Sequence, residues 1–369
     1  MLGFYFHVPF CHGKCPYCDF YSLPDSPAAM DAYTAAVTAS LSPWRERLDR
    51  REISTVYFGG GTPSLLGADR LGRILQAVKE GFSLSPRAEI TLEANPTRVG
   101  RQFFEGVRAA GFNRLSMGLQ SAHREELRFL GRAHTREDVA QAVEDARAAG
   151  FANISLDLML GLPGSSRERL EESIQFAAGL SVEHISSYLL KVEPGTPFAA
   201  RQVAVPDDDE SAEQYLFAVQ ELGKRGYTQY EISNFSRPGK ESRHNLLYWR
   251  GEEYLGFGPG AHSFFGGKRF YYPRDLEGFL RGNPPVEDGP GGDFGEFAML
   301  NLRLTRGLRR EDCAAWFGPQ GEAWFQEALE KAKACPKELL KWDREWISFT
   351  PEGFLVSNAL LVQLLGERL

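Results

Sequence analysis

The chain has little of what membrane, secreted and nucleic-acid-binding proteins need. Its apolar runs are interrupted by glycine, proline or charge well before the about 18 residues that a membrane span requires. Lys and Arg number 42 against 49 Asp and Glu, and this net charge of −7 argues against a broad phosphate-binding surface. No signal peptide separates Met1 from the first apolar segment. We therefore expect a cytoplasmic protein with no transmembrane segment and no nucleic-acid partner.

Cysteine is scarce, and its placement argues against disulfides. Five cysteines are an odd number, and three of them, Cys11, Cys15 and Cys18, fall in one short segment. That grouping favours a metal site over a disulfide framework. Cys313 and Cys335 lie in helical patterns, where packing is the expected role. With 43% hydrophobic and 25% charged residues, the rest of the composition is that of a folded protein with a sizeable core.

Short apolar runs alternate with amphipathic stretches through most of the chain, which is the pattern of repeated βα units around a parallel sheet. The predicted strands are residues 4–9, 55–60, 89–94, 113–119, 153–160 and 184–191. The predicted helices are residues 29–47, 68–80, 100–110, 136–149, 167–178 and 209–225. Six such units predict an α/β fold that bends into a partial (β/α)6 barrel, with functional groups at the C-terminal ends of its strands.

A second domain is predicted where this rhythm changes. A Gly- and aromatic-rich stretch is followed by helical patterns at residues 293–304, 309–317 and 321–340. We therefore place the barrel domain in residues 1–235 and a smaller, mainly helical domain in residues 236–369. Its last segment predicts a hairpin that turns at residues 351–353 and then a helix, a winged-helix-like ending. Because this ending carries no basic cluster, we expect a structural lid and not a DNA-binding element.

The strongest motif is C-x3-C-x2-C, which follows the first predicted strand in HVPFCHGKCPYCDF. Three thiolates on one compact loop suit three irons of a cubane cluster and leave the fourth iron open to a small molecule. Zinc is the alternative. A structural zinc site needs four ligands, however, and His12 lies too near Cys11 along the chain to be the fourth without strain. The pattern favours an iron–sulfur cluster on Cys11, Cys15 and Cys18.

Polar residues stand where the core of a parallel sheet should be apolar. The second strand runs into GGGT at residues 59–62. Because glycine has no side chain, a ligand could approach the backbone closely there. Taken alone, such a run is as easily explained by a tight turn. Four further polar residues follow at or just beyond later strand ends: Glu93, Gln120, Arg132 and Asp157. Taken one at a time, each of these four residues is more simply explained as a polar residue at the rim of the sheet. Together they predict a polar cofactor wall, which a plain structural metal protein would not need.

This combination resembles the radical SAM superfamily, in which C-x3-C-x2-C follows the first strand of a βα barrel. The resemblance implies a [4Fe-4S] cluster, S-adenosylmethionine (SAM) on its open iron, and an electron donor to the cluster. Within that superfamily the chain resembles the HemN/HemW-like family over nearly its whole length, including LGLPG at residues 160–164 and HNLLYW at residues 244–249. The family's SAM contacts then fall on Tyr5, Tyr17, Gly60, Gly61, Thr62, Glu93, Gln120, Arg132 and Asp157.

The HemN/HemW-like family contains oxygen-independent coproporphyrinogen III oxidases and haem chaperones. The oxidases have a fourth cysteine where this chain has Phe20, and an N-terminal arm with no counterpart before residue 4 here. The resemblance therefore implies a haem chaperone of porphyrin metabolism, which binds haem as cargo and passes it to haem-requiring proteins. The oxidase, or another radical SAM enzyme, is the alternative, because ligands alone do not tell whether SAM is cleaved. Any membrane contact is expected to be peripheral and made through a partner.

Within HNLLYW, His244 is the haem-ligand candidate that the resemblance implies. An imidazole can bind haem iron, and Tyr248 and Trp249 could flank a flat macrocycle. A histidine hydrogen bonded between the two domains is the equal alternative, since most histidines are not ligands. His7 and His262 are weaker candidates: we expect His7 to support the cluster site and His262 only to hold its glycine-rich turn.

Overall fold

A mostly parallel sheet forms the centre of the molecule, and the computed structural model describes all of residues 1–369. Six parallel strands lie side by side in chain order: β1 (Leu2–Val8), β2 (Ile53–Gly60), β3 (Leu84–Ala94), β4 (Arg114–Gln120), β5 (Ile154–Leu160) and β6 (His184–Leu189). These are the six predicted strands. The predicted α/β architecture with a partial (β/α)6 barrel is therefore confirmed.

Helices connect these strands and pack against one another around the sheet. They are α1 (Pro27–Ala39), α2 (Ser42–Leu48), α3 (Gly67–Gly81), α4 (Arg101–Ala110), α5 (Arg124–Phe129), α6 (Arg136–Ala148), α7 (Arg167–Gly179), α8 (Pro197–Ala200) and α9 (Asp208–Lys224). The single helix predicted for residues 29–47 is wrong, because two helices occupy this stretch. Pro43 cannot donate a backbone hydrogen bond to a preceding turn, so it stands in the first turn of the new helix α2.

The sheet continues beyond both edges of the six-stranded core. Next to β6 lie the antiparallel strands β7 (Thr228–Glu231) and β8 (Asn234–Ser236). On the other side, β9 (Glu253–Phe257) runs parallel to β1 and leads into the antiparallel strands β10 (His262–Phe265), β11 (Lys268–Tyr271) and β12 (Val286–Pro290). Strand β1 is therefore an interior strand with a partner on each side. Because strands from both predicted domains share one sheet, the domain boundary at residue 235 stays a prediction.

The short helix α10 (Arg243–Trp249) closes the barrel near the N-terminal ends of the strands. Its partners on the sheet are Gly3, Thr55 and Glu89, which form one row across β1, β2 and β3. The buried carboxylate of Glu89 accepts hydrogen bonds from the backbone N–H groups of Arg243 and His244, each at 3.0 Å. This carboxylate therefore joins the helix to the barrel.

The C-terminal part is mainly helical, with a small sheet against it. Its helices are α11 (Leu276–Leu280), α12 (Phe294–Asn301), α13 (Arg310–Lys333), α14 (Pro351–Leu355) and α15 (Ser357–Leu365), and its strands are β13 (Leu308–Arg309), β14 (Leu340–Trp342) and β15 (Trp346–Phe349). The hairpin turns between Trp342 and Trp346, so the turn predicted at residues 351–353 is wrong. Those residues begin α14, because the Thr350 hydroxyl accepts a hydrogen bond from the Gly353 N–H at 3.0 Å and caps the helix. No helix in the chain is both long and apolar enough to cross a membrane.

Removing the Glu89 carboxylate should destabilise the closed end of the barrel. Glu89→Ala leaves two backbone N–H groups of α10 without acceptors, and each unsatisfied buried group costs about 1–3 kcal/mol. We therefore expect the free energy of unfolding, measured by urea denaturation, to fall by about 2–5 kcal/mol. Glu105→Ala, which removes only an exposed ion pair with Arg101, is the control and should change it by less than about 1 kcal/mol. Equal effects of the two substitutions would contradict this role of Glu89.

Candidate functional site

A cavity of about 940 Å³ opens where the barrel strands end. Most of the predicted site residues line it: Cys11, Cys15, Tyr17, Cys18, Gly60, Gly61, Thr62, Glu93, Gln120, Arg132 and Asp157. The fold thus brings together residues that are far apart in the sequence, as the strand-end rule for parallel barrels requires. Two predicted site residues, Tyr5 and His244, lie outside this cavity.

Backbone hydrogen bonds hold the cysteine loop against the glycine loop. The Gly61 N–H donates to the Val8 carbonyl at 2.9 Å, and the Thr62 N–H donates to the Phe10 carbonyl at 2.7 Å. A Cβ atom on Gly61 would lie 2.5 Å from the Phe10 carbonyl oxygen, so a larger residue would push the two loops apart. The Thr62 hydroxyl lies 3.5 Å from Cys11 Sγ. The first cysteine is therefore positioned by the end of β2 as well as by its own strand.

The three cysteines of the loop are unpaired and half-buried, and all three face the cavity. No three His, Cys, Asp or Glu side chains of the chain are grouped as ligands of one metal ion. Three thiols on one loop suit a cubane, in which each of three irons takes one thiolate, whereas a structural zinc site needs four ligands. Phe20, which stands where a fourth cysteine would be, is 62% exposed at the mouth of the cavity.

Two carboxylates form the polar part of the cavity wall. Glu93 accepts a hydrogen bond from the Tyr57 hydroxyl at 2.7 Å, and Asp157 accepts one from Ser116 at 3.4 Å. Removal from solvent is the largest effect on both, and it raises the pKa of Glu93 to about 7 and the pKa of Asp157 above its usual value. The positive charge of Arg114, a guanidinium that is 2% exposed and whose Nε has no hydrogen-bond partner, opposes both increases. A cationic ligand would favour the ionised form of this wall.

Arg132 links the cysteine loop to the opposite wall. It donates hydrogen bonds from Nε and Nη2 to the Tyr17 hydroxyl, at 3.1 and 2.6 Å. A guanidinium has five N–H groups, so Arg132 keeps donors for a ligand carboxylate. Burial raises the pKa of Tyr17, which keeps its hydroxyl protonated. Gln120, at the end of β4, has a left-handed backbone with φ of 66°, a conformation that costs energy in a residue other than glycine and that recurs at functional sites.

Several residues of the cavity wall were not predicted from the sequence. Asn95 and Arg98 come shortly after Glu93, and Tyr188 lies near the end of β6. The strand-end rule that found Glu93 would have found these three residues too. Met159 also faces the cavity, but nothing in its local sequence distinguishes it from a core residue.

His244 lies at the closed end of the barrel and is buried. Its Nδ1 is 2.7 Å from the Thr55 hydroxyl, and its Nε2 is 2.8 Å from the Tyr248 hydroxyl. The ring also stacks on Tyr57, with 5.1 Å between ring centroids. Burial lowers the pKa of His244 to about 3, so the ring is neutral. These contacts favour the hydrogen-bonded alternative, and the role of His244 as a haem ligand stays a prediction.

Tyr5 belongs to a second cavity, of about 320 Å³, beside the first. Its hydroxyl is 3.1 Å from His7 Nδ1, and His7 Nε2 is 2.9 Å from the Tyr21 carbonyl oxygen. The other side chains that line this cavity include Phe20, Tyr21, Tyr248, Tyr254, His262 and Arg274. Because Phe20 lines both cavities, they are neighbours on the same side of the molecule.

Comparison with known proteins shows the family of the chain. The family model described as the Radical SAM superfamily matches residues 5–177. The chain is 38% identical to heme chaperone HemW of Mycobacterium tuberculosis, over 99% of this chain and 95% of that protein, and 34% identical to heme chaperone HemW of Bacillus subtilis, over 100% of each. The solved structure of coproporphyrinogen III oxidase (HemN) from Escherichia coli, a radical SAM enzyme, has the same fold, with a TM-score of 0.84 over 99% of this chain and 90% of that chain at 23% identity. The chain therefore belongs to the HemW family of radical SAM proteins.

Proposed function

We propose that this protein is a haem chaperone, which binds haem as cargo and passes it to haem-requiring proteins. Its relatives over the full length of the chain carry that name. The observation that carries the proposal is the thiol set of the cavity, which is limited to Cys11, Cys15 and Cys18, with the exposed ring of Phe20 in place of a fourth cysteine. A phenyl ring has no thiol, so this chain lacks the fourth cysteine that distinguishes the related oxidases.

The cavity wall offers groups that suit both cofactors of the superfamily. Cys11, Cys15 and Cys18 would hold three irons of a [4Fe-4S] cluster as thiolates. When bound, the cluster supplies an electron and an open iron that can bind the amino acid part of SAM. The Glu93 carboxylate would attract the ammonium group of SAM, and Arg132 would pair with its carboxylate.

The remaining wall residues would position these groups. Gly60 and Gly61 leave room for a ligand against the backbone, and Thr62 lies beside Cys11. Asp157 faces the same cavity and suits a ribose hydroxyl. Tyr17 keeps the Arg132 guanidinium in place through two hydrogen bonds, so the loop that carries the cysteines also orients the group that would bind the carboxylate.

Haem binding and transfer test the proposal directly. We expect the anaerobically reconstituted protein to bind one haem in a spectrophotometric titration and to pass it to an apo-haem protein, while releasing no carbon dioxide from coproporphyrinogen III in the presence of SAM and a reductant. Carbon dioxide release coupled to cleavage of SAM would instead identify an oxidase. Absence of haem binding would refute the chaperone function.

The contact between the two loops should be essential for the cluster. In Gly61→Ala the new methyl group meets the Phe10 carbonyl oxygen at 2.5 Å, next to Cys11, and we expect loss of more than half of the iron and of the iron–sulfur absorption after reconstitution. Gly13→Ala is the matched control, since Gly13 lies in the cysteine loop itself and a Cβ there meets nothing within 4 Å. An equal cluster content in the two variants would contradict the proposed loop contact.

Binding of SAM should depend on pH through Glu93. The pKa of Glu93 is raised to about 7, so its carboxylate is ionised above that pH and protonated below it. If the ionised form holds the ammonium group, the affinity is full above pH 7 and falls on acidification, by at most about tenfold per pH unit. Calorimetric titration of the reconstituted protein at several pH values measures this slope. The Glu93→Gln variant should bind SAM more weakly, and its affinity should not change with pH. If the affinity of this variant still falls on acidification, a group other than Glu93 causes the pH dependence.

A further inference from the structure

His262 is the exception among the seven histidines of the chain. The other six each hydrogen bond through at least one ring nitrogen: His7, His12, His123, His134, His184 and His244. Neither ring nitrogen of His262 hydrogen bonds to another group of the protein, and the residue is exposed at the start of β10. An unpartnered imidazole beside a cavity is free to bind a ligand.

The surroundings of His262 hold its ring in a defined position. The ring stacks on Tyr271, its partner across the β10–β11 pair, with 5.1 Å between centroids and 21° between planes. Partial burial is the largest effect on His262 and lowers its pKa, which favours the neutral ring with a free electron pair. A neutral, oriented imidazole is the form in which histidine ligates metals.

The cavity that His262 lines is aromatic, with one cationic group at its edge. Tyr5, Tyr248 and Tyr254 line it together with Arg274. Tyr248 and Tyr254 pack edge to face, with 4.5 Å between centroids, so they form a firm apolar surface. Arg274 contacts only Asp19 at 3.2 Å, and both side chains are more than half exposed. Such a pair contributes little stability, so the guanidinium is available to another carboxylate.

We propose that His262 is the axial ligand of the haem cargo, with the macrocycle against the tyrosines of the second cavity and Arg274 paired with a haem propionate. This inference rests on the proposed function and names its site. The bond is a dative one from an imidazole nitrogen to the iron, so no electron or proton is transferred. A haem macrocycle is larger than a cavity of about 320 Å³, so part of it stays outside, where a receiving protein can reach it.

The second cavity lies next to the cluster cavity, as expected for a protein that holds both a cluster and a cargo. Phe20 lies at the boundary of the two cavities, and its ring is 62% exposed. A haem on His262 would therefore lie beside the cluster loop. His244, in contrast, would have to break its hydrogen bonds with Thr55 and Tyr248 and leave the closed end of the barrel to reach haem iron.

The test is a titration of three variants with ferric haem, followed by absorption and electron paramagnetic resonance spectra. We expect His262→Ala to bind haem at least about tenfold more weakly, a change of about 1.4 kcal/mol, and to lose the spectrum of imidazole-ligated iron. Free imidazole should restore that spectrum, because it can occupy the space left by the side chain. His244→Ala and the control His123→Ala, whose ring hydrogen bonds to the Arg169 carbonyl outside the cavity, should keep it. The iron–sulfur absorption of each variant serves as the check that it is folded.

The outcomes separate this inference from the proposed function. If the unmodified protein and His262→Ala bind haem equally well, His262 is not the ligand, and the chaperone function still stands. If only His244→Ala loses the spectrum of imidazole-ligated iron, His244 is the axial ligand. If the unmodified protein does not bind haem at all, the chaperone function itself fails and this site fails with it.

Discussion

The structure depends on the parallel pairing of β1 with a strand on each side. Hydrogen bonds to β2 and β9 fix the height of β1 in the sheet, and the side chains of Phe4, Phe6 and Val8 are fully buried. The cysteine loop continues directly from the end of β1, so the position of this strand determines the position of the loop. The same pairing joins the barrel to the C-terminal half of the chain, because β9 comes from there.

The interior of the barrel is polar, which is unusual for a parallel sheet and has to be stabilised by internal partners. At the closed end, Glu89 holds the first turn of α10, and His244 bonds to both Thr55 and Tyr248. At the open end, burial raises the pKa of Glu93, and the hydrogen bond from Tyr57 only partly opposes this effect. The polar groups that hold α10 are thus hydrogen bonded, whereas the Glu93 carboxylate faces the cavity in which a ligand is expected.

The two cavities give the proposed chaperone a simple layout. One contains thiols, carboxylates and Arg132, which suit a cluster and a small charged cofactor. The other contains tyrosines, a free imidazole and Arg274, which suit a flat macrocycle with carboxylate groups. They share Phe20, so a haem in the second cavity would lie next to the cluster cavity. The proposed layout places the cargo beside the cluster and does not require that the cluster act on the porphyrin.

The sequence by itself determined the six strands, the cysteine motif and half of the residues that line the cluster cavity, since hydrophobic periodicity and strand-end position are local properties of the chain. Only the tertiary structure decided what depends on contacts between distant segments. Two wrong predictions have a local cause instead: Pro43 begins a new helix and Thr350 caps another, because local hydrogen bonding outweighs hydrophobic periodicity there. The sequence favours His244 over His262 as the haem-ligand candidate. The fold hydrogen bonds both nitrogens of the first and leaves those of the second free, because α10 is inserted into the barrel while β10 lies at the edge of a cavity.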